Sequence, residues 1–593
     1  MIDELARFAG IADSYTDYFG NVKHASRQTK IAILNAMGYD APSDRAARAL
    51  LDDLIQKRRD DAQDVAPISS AQAYVPPELD ESNVWGFALQ LYSLRSQHNW
   101  GIGDFGDLAR FAKIAADAGA DTVGLNPLHQ LHLANPESAS PYSPQSRLHL
   151  NALYIDVESA AAMFGRSDSW SEDVDELRRS EFIDYPGVAA AKVPALRALF
   201  RAFLHLNSTD ERKLAFRAFQ RERGASLRQM ATYEALATHF KVENRDSYGW
   251  LQWPQAYRDR ASTAVEAFAA ANAPALEFYQ FLQWIADAQL GEAAKAAAKM
   301  SIGFYRDLAI GVDANSADVW VDRDAFCLGI SVGAPPDPLN EDGQSWGLPP
   351  VNPHVLRERA YAPFVQILEA NMRHAGALRL DHVMGLERLF FIPQGAQPSE
   401  GAYVQYPMDE LVEVLARESR RHRCMVIGED LGTVPPGFRE RMAAARIFSC
   451  RPLYFERSQD GTFTETAKYP HNAVASTGTH DLTPLAGYWH SLAPRDRAQL
   501  CEFLGDLSPG ASDLEVAAAA YRALGQSACA LVLLQMEDAL LQREPVNVPG
   551  TTKELPNWRR KLPVALEQLQ AGTSFVTIVK TLRESRRGNK ERT

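Results

Sequence analysis

The stretch Ala377-Leu-Arg-Leu-Asp-His-Val-Met-Gly-Leu386 decides the fold. Three apolar residues surround Arg379 and run directly into Asp381, and the segment breaks at Gly385. A short apolar run of this kind is typical of a strand that is buried on both faces, as in a parallel sheet. Charged groups at the end of such a strand are costly, so we expect them to have a function. An arginine beside an aspartate helps to keep the carboxylate ionised, as a carboxylate nucleophile requires.

Two segments further along the chain repeat this arrangement. Cys424-Met-Val-Ile-Gly-Glu429 and Ala473-Val-Ala-Ser-Thr-Gly-Thr-His-Asp481 are apolar runs that end in acids. Successive acids among Asp381, Glu429 and Asp481 lie about fifty residues apart, an interval that fits one or two βα units. We therefore expect all three at one rim of a (β/α)8 barrel. Each acid taken alone is equally well explained as the cap of a following helix.

The remaining strand-like runs bring the predicted barrel to eight strands. They lie at 87–94, 121–127, 304–313, 447–455 and 531–536, in addition to the runs that begin near 377, 424 and 473. Residues 1–80 are predicted to form a small helical segment and a linker, and residues 81–593 the barrel. A mostly helical, alanine-rich stretch at about 157–300 indicates a subdomain inserted over the rim. The predicted fold class is α/β, a (β/α)8 TIM barrel with large helical insertions and a small helical N-terminal segment.

Composition excludes several classes of partner. The net charge of −13 argues against nucleic acid and against an anionic membrane surface. Five cysteines without CxxC spacing are typical of reduced thiols. The N-terminus has no basic region followed by an apolar one, and no stretch approaches eighteen apolar residues. We therefore expect a cytoplasmic protein that does not interact with membranes.

Three segments carry a resemblance to a known family. LRLDHVMGL (378–386), VIGEDLGTVPPGF (426–438) and STGTHDLTPLAGYW (476–489) resemble the catalytic segments of 4-α-glucanotransferases. These enzymes, also called amylomaltases or disproportionating enzymes, form glycoside hydrolase family 77 in the α-amylase clan. The resemblance extends from about residue 85 to 562 and implies a retaining transfer of α-1,4-glucan segments to an acceptor sugar. It implies malto-oligosaccharides and α-1,4-glucans as donor and acceptor, and either a monomer or a homodimer.

The resemblance also implies a role for each acid. Asp381 would be the nucleophile, Glu429 the general acid/base, and Asp481 a ligand of sugar hydroxyls that favours the distorted transition state, with His480 donating to another hydroxyl. A retaining reaction needs the first two carboxyl groups about 5–5.5 Å apart. We expect Arg379, on the same strand face as Asp381, to lower the pKa of Asp381. An apolar strand and the nearby Asp381 are expected to raise the pKa of Glu429.

Further residues are predicted to bind the substrate. They are Tyr142, Asp313, Asp337, Gln344, Trp346, Arg379, His480 and Asn547. Tyr142 lies in Ser-Pro-Tyr-Ser-Pro, a rigid turn that presents an aromatic ring and resembles a cleft segment of the family. Trp346 lies in a loop rich in glycine and proline, where an exposed indole offers a flat face to a pyranose ring. The alternatives are a core tyrosine at 142 and a buried anchor at 346.

The sequence predicts no metal site and no cofactor. It has no HExxH or EF-hand spacing and no P-loop, flavin or pyridoxal phosphate signature. Two alternatives to the transferase stay open, an α-1,4-glucan hydrolase and a glucan-binding protein without activity. Some 55 residues follow the last predicted strand, too few for the β-sandwich domain that usually follows the barrel in hydrolases of the clan. This shortage favours the transferase.

Overall fold

The computed structural model describes residues 1–61, 71–81, 83–165, 173–244, 247–337, 340–505, 507–551 and 554–588. Eight parallel strands form a barrel, as predicted. They are β1 (Val84–Leu89), β2 (Thr122–Leu125), β3 (Gly303–Leu308), β4 (Ala377–Leu380), β5 (Met425–Gly428), β6 (Ser449–Pro452), β7 (Ala473–Ser476) and β8 (Leu531–Gln535). Strand β8 pairs with β1, and a parallel bridge between Ile427 and Phe448 joins β5 to β6, so the barrel is closed.

The alternation of side chains along each strand decides which residues reach the barrel interior. Ala377 packs with Tyr305 and Met425 inside the barrel. Leu378 and Leu380 belong to the apolar layer between the strands and the outer elements. Because successive side chains of a strand point to opposite faces, the side chain after Leu378, a charged arginine, faces inward.

Helices surround the barrel. They span Ile2–Phe8, Arg27–Ala36, Asp44–Asp61, Pro77–Glu81, Phe105–Ala118, Val157–Met163, Asp173–Arg179, Tyr185–Leu204, Glu211–Glu243, Thr263–Ala271, Ala273–Ala296, Ala317–Val321, Pro353–Glu358, Ala362–Met372, Met408–His422, Phe438–Ala444, Leu485–Ser491, Pro494–Phe503, Asp513–Gly525, Met536–Ala539 and Thr573–Gly588. The stretch between Val157 and Ala296 is mostly helical; Phe200, Phe281 and Trp284 belong to one core cluster, and Trp250 and Trp253 to another. None of the helices in the described part of the chain combines the length and apolarity needed to cross a bilayer.

A second sheet, which sequence analysis did not predict, lies beside the barrel. Its antiparallel strands follow the order Ala402–Gln405, Arg388–Pro393, Ile330–Ala334, Gln344–Ser345. A bridge between Ile11 and Val404 connects this sheet to the N-terminal segment. That segment is not purely helical, because it also contains a hairpin of Ser14–Thr16 and Val22–His24. A small antiparallel pair, His129–Gln130 with Ser146–Leu150, follows β2.

Several predicted strand boundaries were wrong, among them the end of the run 447–455, since β6 ends at Pro452. Strand β1 ends at Leu89, before a 3-10 turn at Leu91–Ser93, rather than at residue 94. Strand β3 ends at Leu308, five residues before Asp313, because the chain then leaves the barrel and the Asp313 amide donates to the Pro144 carbonyl. Ser26 caps the helix Arg27–Ala36, because its hydroxyl accepts from the Thr29 amide. Part of the predicted linker, 62–70, lies outside the described residues.

Candidate active site

The three predicted acids follow three strands of the same barrel. Asp381 and Glu429 come directly after β4 and β5, and Asp481 lies five residues beyond β7. The C-terminal ends of parallel barrel strands share one face, so the three acids lie on the same rim. The ladder itself fixes the first two, because the Asp381 amide donates to the Leu308 carbonyl and the Glu429 amide to the Leu380 carbonyl.

Arg379 joins Asp381 to an acid on the neighbouring strand. Parallel pairing sets Arg379 of β4 in register with Asp307 of β3. The Nη1 atom of Arg379 lies 2.7 and 2.8 Å from the two carboxylate oxygens of Asp307, and 3.1 Å from Oδ1 of Asp381. The Tyr142 hydroxyl donates to Oδ2 of Asp307 at 2.6 Å. A buried, fully paired network therefore stands beside Asp381.

The pKa of Asp381 differs from the expectation. Burial raises it to about 6; Arg379 opposes this rise, while the nearby Asp307 adds to it. Arg379 acts to lower the pKa of Asp381, as predicted, but burial outweighs this effect, so the net shift is upward. At neutral pH Asp381 is nevertheless mostly ionised, as a nucleophile must be.

Glu429 lies in a different environment. Its Oε2 accepts from the His382 amide at 2.9 Å and its Oε1 from the Leu431 amide at 2.8 Å. His382 has a left-handed backbone, with φ of 49°, an uncommon conformation for a residue other than glycine. Burial, with a further contribution from Asp381, raises the pKa of Glu429 to about 7, although Arg379 opposes the shift. The predicted upward shift is confirmed, and a sizeable fraction of Glu429 is protonated at neutral pH.

Asp481 is held by two neighbours. Its Oδ1 accepts from the Asn547 amide group at 2.6 Å, and its Oδ2 lies 3.3 Å from Nε2 of His480. Burial acts to raise its pKa, but His480 and Asn547 outweigh that effect and lower the pKa to about 2. Asp481 consequently keeps its charge, and 43% of its side chain remains accessible. A fixed carboxylate that is open to solvent is suited to accept hydrogen bonds from sugar hydroxyls.

Aromatic rings form one wall beside these acids. The ring of Tyr142 stacks on His480 with centroids 4.8 Å apart and planes inclined by 20°. Trp558 lies 5.3 Å from Tyr142 and 5.5 Å from His480. This wall connects the network around Asp307 to Asp481, and it offers apolar faces next to hydrogen-bonding groups, the combination that binds sugar rings.

The predicted loop residues separate into two groups. Trp346 is half-buried, neither the exposed indole nor the buried anchor considered from sequence, and its ring lies 5.3 Å from His382, beside Asp381. Its indole nitrogen donates to Oε1 of Gln344 at 3.1 Å. Asp337, in contrast, is bonded to Asn340 within its own turn. The loop thus brings Trp346 and Gln344 to the acids.

Asp313 stands apart from the acids. Its Oδ2 accepts from the Tyr248 hydroxyl at 3.1 Å, and its Oδ1 from the Asn315 amide at 2.6 Å. Its own amide binds Pro144, in the same turn as Tyr142. Asp313 therefore belongs to the outer part of the rim rather than to the strand end where the sequence pattern put it.

Sequence analysis did not assign Asp307 or Trp558 to the site. The signal for Asp307 was present in the sequence. Phe304-Tyr-Arg-Asp-Leu308 contains an arginine and an acid within an apolar strand, as the stretch around Arg379 does. The strand was extended to Asp313, which hid the true strand-terminal acid. Trp558 has no such signal, because only the return of the C-terminal chain to the barrel rim sets it against Tyr142.

Groups with metal-ligand chemistry converge elsewhere on the protein. Potential ligand atoms of Glu369, Glu418 and His422 lie within 4.8 Å of one another. Arg421 pairs with both carboxylates, at 2.5 Å from Glu369 and 3.3 Å from Glu418. The arginine already supplies the positive charge that a cation would bring, so this cluster is explained as an ion-pair network.

The arrangement of the site supports acid–base chemistry with a nucleophile. Two neighbouring carboxyl groups have different environments, and their pKa values are separated in the order that gives one ionised group and one proton donor near neutral pH. A third carboxylate with a low pKa stands near them, beside aromatic rings. Glycoside chemistry with retention requires this combination.

Comparisons with known proteins agree with one another. A family model described as 4-alpha-glucanotransferase matches residues 89–567. The chain is 37% identical over 570 residues to the 4-alpha-glucanotransferase of Haemophilus influenzae, covering 88% of this chain and 81% of that protein. It is 36% identical over 566 residues to that of Mycobacterium tuberculosis, covering 86% and 76%. The amylomaltase structure from Corynebacterium glutamicum superposes with a TM-score of 0.82 at 26% identity, covering 98% of this chain and 99% of that one.

Proposed function

The chain belongs to the 4-α-glucanotransferase family, and we propose that it transfers α-1,4-glucan segments by double displacement with Asp381 as nucleophile, Glu429 as acid/base and Asp481 as a ligand of the reacting sugar. The observation that carries these roles is the pair of unequal carboxyl groups at the ends of β4 and β5. Burial raises the pKa of Asp381 to about 6 and that of Glu429 to about 7. Arg379 lies 3.1 Å from Asp381 and favours its ionised form, so Asp381 attacks; burial favours the protonated form of Glu429, which supplies the proton.

In the first step, Asp381 attacks the anomeric carbon while Glu429 gives its proton to the glycosidic oxygen. The bond from the anomeric carbon to that oxygen breaks, the shortened glucan leaves with the proton, and the donor segment is held as an ester of Asp381. The amides of His382 and Leu431 hold the Glu429 carboxylate that remains, because each donates to one of its oxygens.

In the second step, a hydroxyl of the acceptor sugar attacks the ester. The Glu429 carboxylate takes the hydroxyl proton, the new α-1,4 bond forms, and Asp381 is released as a carboxylate. Two inversions at the anomeric carbon leave its configuration unchanged. The enzyme then has the protonation state with which it began, so no other reactant is consumed.

Asp481 is proposed to act on the sugar ring and not on the bond that breaks. Asn547 and His480 fix its two oxygens and keep it ionised, so it accepts hydrogen bonds from ring hydroxyls without competing for the catalytic proton. His480 is held between Asp481 and the ring of Tyr142. A preorganised acceptor of this kind stabilises the transition state more than the ground state when the ring distorts towards it.

Transfer requires that a sugar, not water, meets the ester. Trp346 and Gln344 lie on the antiparallel sheet next to His382, beside the nucleophile, and are proposed to hold the acceptor and to exclude water. Tyr142 and Trp558 are proposed to line the cleft on the Asp481 side. Donor and acceptor are accordingly malto-oligosaccharides and longer α-1,4-glucans.

Incubation with maltotriose tests the function. Disproportionation gives glucose together with longer malto-oligosaccharides while the number of reducing ends stays constant. A steady increase in reducing ends would identify a hydrolase, and the absence of any product a glucan-binding protein. The variant Asp381→Asn is expected to lower the rate on the order of 10⁴-fold or more while maltotriose binding, measured by calorimetry, persists. Retained turnover in this variant would contradict the assigned nucleophile.

A further inference from the structure

A small cavity lies on the outer side of β3, opposite the active-site face of that strand. Its volume is about 20 Å³, and its walls come from β3, the helical insertion and the helix Ala362–Met372. Among the described residues that line it, the charged or titratable ones are Arg147, His149, Arg223, Asp287, Arg306, Arg373 and His374. Arginines therefore outnumber carboxylates around a buried space.

Arg306 is buried without an acidic partner. Its side chain follows the outward direction in β3, between Tyr305 and Asp307, and the residue is 3% exposed. Its Nη1 donates to the carbonyls of Ala370 and Arg373 at 3.1 Å each, and its Nη2 to Oδ1 of Asn371 at 3.2 Å. Its Nε has no hydrogen-bond partner among the described residues. All these acceptors are neutral, so nothing among them compensates the charge of the guanidinium group.

Arg147 repeats this situation on the facing wall. The residue is 7% exposed, and its Nη1 donates to the carbonyls of Ala309 and Ile310 at 3.2 and 2.7 Å. Its Nε also lacks a partner. The nearby Asp318 accepts from the main-chain amide of Arg147. Asn371 ties the two arginines together, because its amide nitrogen donates to the Arg147 carbonyl while its oxygen accepts from Arg306.

The carboxylate that lines the cavity is already engaged. Asp287 accepts from Arg373 at 2.8 Å through both oxygens and from Arg223 at 3.1 Å, and it lies 3.4 Å from His374. Three basic side chains thus share this acid, and Arg373 also pairs with Glu222. Asp318 bonds to the main-chain amide of Arg147, so among the described residues neither Arg306 nor Arg147 has a carboxylate in an ion pair with its guanidinium group, and burial of such a cation is costly.

We propose that this cavity is a binding site for one small monatomic anion, chloride, held by the Nε–H groups of Arg306 and Arg147. A cavity of about 20 Å³ admits one particle near the size of a water molecule. Phosphate, sulfate and organic acids are too large for it. The two unpaired Nε–H groups can each donate a hydrogen bond to the anion, and the positive charge of the arginines attracts it.

The site is connected to the reaction through the strand. Arg306 lies directly before Asp307, whose carboxylate pairs with Arg379 beside the nucleophile. The anion therefore fixes the outer face of the strand whose inner face carries the active-site network. Binding to the folded state alone stabilises it, so the protein is expected to unfold at a higher temperature as the chloride concentration increases.

Crystals of the wild-type protein soaked in bromide test the site directly. An anomalous peak is expected in the cavity, within hydrogen-bonding distance of both Nε atoms. Bromide peaks on the protein surface serve as the internal control for the soak. A map with such surface peaks and none in the cavity, or with water there, would overturn the proposal.

Thermal unfolding at constant ionic strength gives an independent test. Tm of the wild-type protein is expected to rise linearly with the logarithm of chloride concentration, and replacement of chloride by gluconate, which is too large to enter, should remove the rise. Arg306→Met removes a donor and the buried charge, so its Tm should be the same in both salts. The control Arg421→Met, at a side chain that is 62% exposed, should keep the wild-type response.

Equal Tm values of the wild-type protein in chloride and gluconate would refute a stabilising anion. If Arg306→Met does not fold, Arg147→Met takes its place, and the wild-type salt response and the bromide map decide the question without either variant. A chloride response that persists in both folded variants would place the anion elsewhere and would also overturn the proposal.

Discussion

Arg379 donates from one nitrogen to both carboxylate oxygens of Asp307, at 2.7 and 2.8 Å. The same nitrogen is 3.1 Å from Oδ1 of Asp381, so Arg379 lies farther from the proposed nucleophile than from Asp307. Burial raises the pKa of Asp381 although this cation is adjacent, and the nearby Asp307 adds to the rise. The pair of Arg379 and Asp307 thus controls how much carboxylate is available to attack.

Replacement of Asp307 by asparagine is expected to lower the pKa of Asp381. The change removes a nearby negative charge and leaves Arg379 with a single carboxylate, and both effects favour the ionised form of Asp381. The acid limb of the profile of kcat/KM against pH should shift to lower pH by about one unit. An Asp313→Asn variant is the matched control, because that acid binds Tyr248 at the outer rim. An acid limb that stays in place in Asp307→Asn would contradict this account.

The wild-type enzyme is expected to have a narrow, bell-shaped profile of kcat/KM against pH. Activity requires Asp381 ionised, so it falls as the pH drops below about 6; it requires Glu429 protonated, so it falls as the pH rises above about 7. Because the two groups interact, the apparent values belong to the pair. Initial rates with maltotriose between pH 4 and 9 measure the profile, and a broad plateau through neutral pH would contradict it.

Replacement of Glu429 by glutamine removes the proton donor and keeps its size. Transfer from maltotriose should fall by about 10²–10⁴-fold, and the basic limb of the pH profile should disappear. Release of fluoride from α-maltosyl fluoride should be affected much less, because fluoride leaves without protonation. Fluoride release and glucose release measured on one preparation separate the two steps. Equal losses on both substrates would show that Glu429 does not act as the acid.

Removal of the Asn547 side chain by Asn547→Ala leaves Asp481 with one fixed oxygen instead of two. A hydrogen bond to a charged group contributes about 1.5–3 kcal/mol, so kcat/KM for maltotriose should decrease roughly 10- to 150-fold. Tm should change little, since the bond lies at an open rim. Asn272→Ala, which removes an amide bonded within the helical insertion, is the control and should retain the wild-type rate. Full activity in Asn547→Ala would argue against a role for Asp481.

Trp346→Ala is expected to increase hydrolysis relative to transfer. Removal of the indole opens the space beside His382 and the nucleophile, so water reaches the ester more easily and the acceptor loses a stacking surface. Reducing ends counted against glucose released from maltotriose give the ratio. Phe19→Ala, at an aromatic ring that is 58% exposed in the N-terminal segment, controls for loss of a surface ring. An unchanged ratio in Trp346→Ala would remove Trp346 from the acceptor site.

The sequence by itself determined the barrel and the strand-terminal acids. Short apolar runs, each bounded by polar residues, specify buried parallel strands regardless of what lies beside them, and an acid directly after such a run is carried to the C-terminal face. For that reason Asp381 and Glu429 were found from local pattern alone. Where the local pattern was ambiguous, as in the apolar stretch 309–312 after β3, Asp313 was chosen and Asp307 was missed.

Only the tertiary structure decided how these charges are shared. The pKa of Asp381 depends on Asp307, and the ring of Trp558 meets Tyr142 over a separation of more than four hundred residues. The antiparallel sheet next to Trp346 depends on the pairing of Ile330–Ala334 with Arg388–Pro393, strands more than fifty residues apart in the chain. Electrostatic and packing energies depend on distance in space and on burial, and neither quantity can be obtained from the order of residues before the chain has folded.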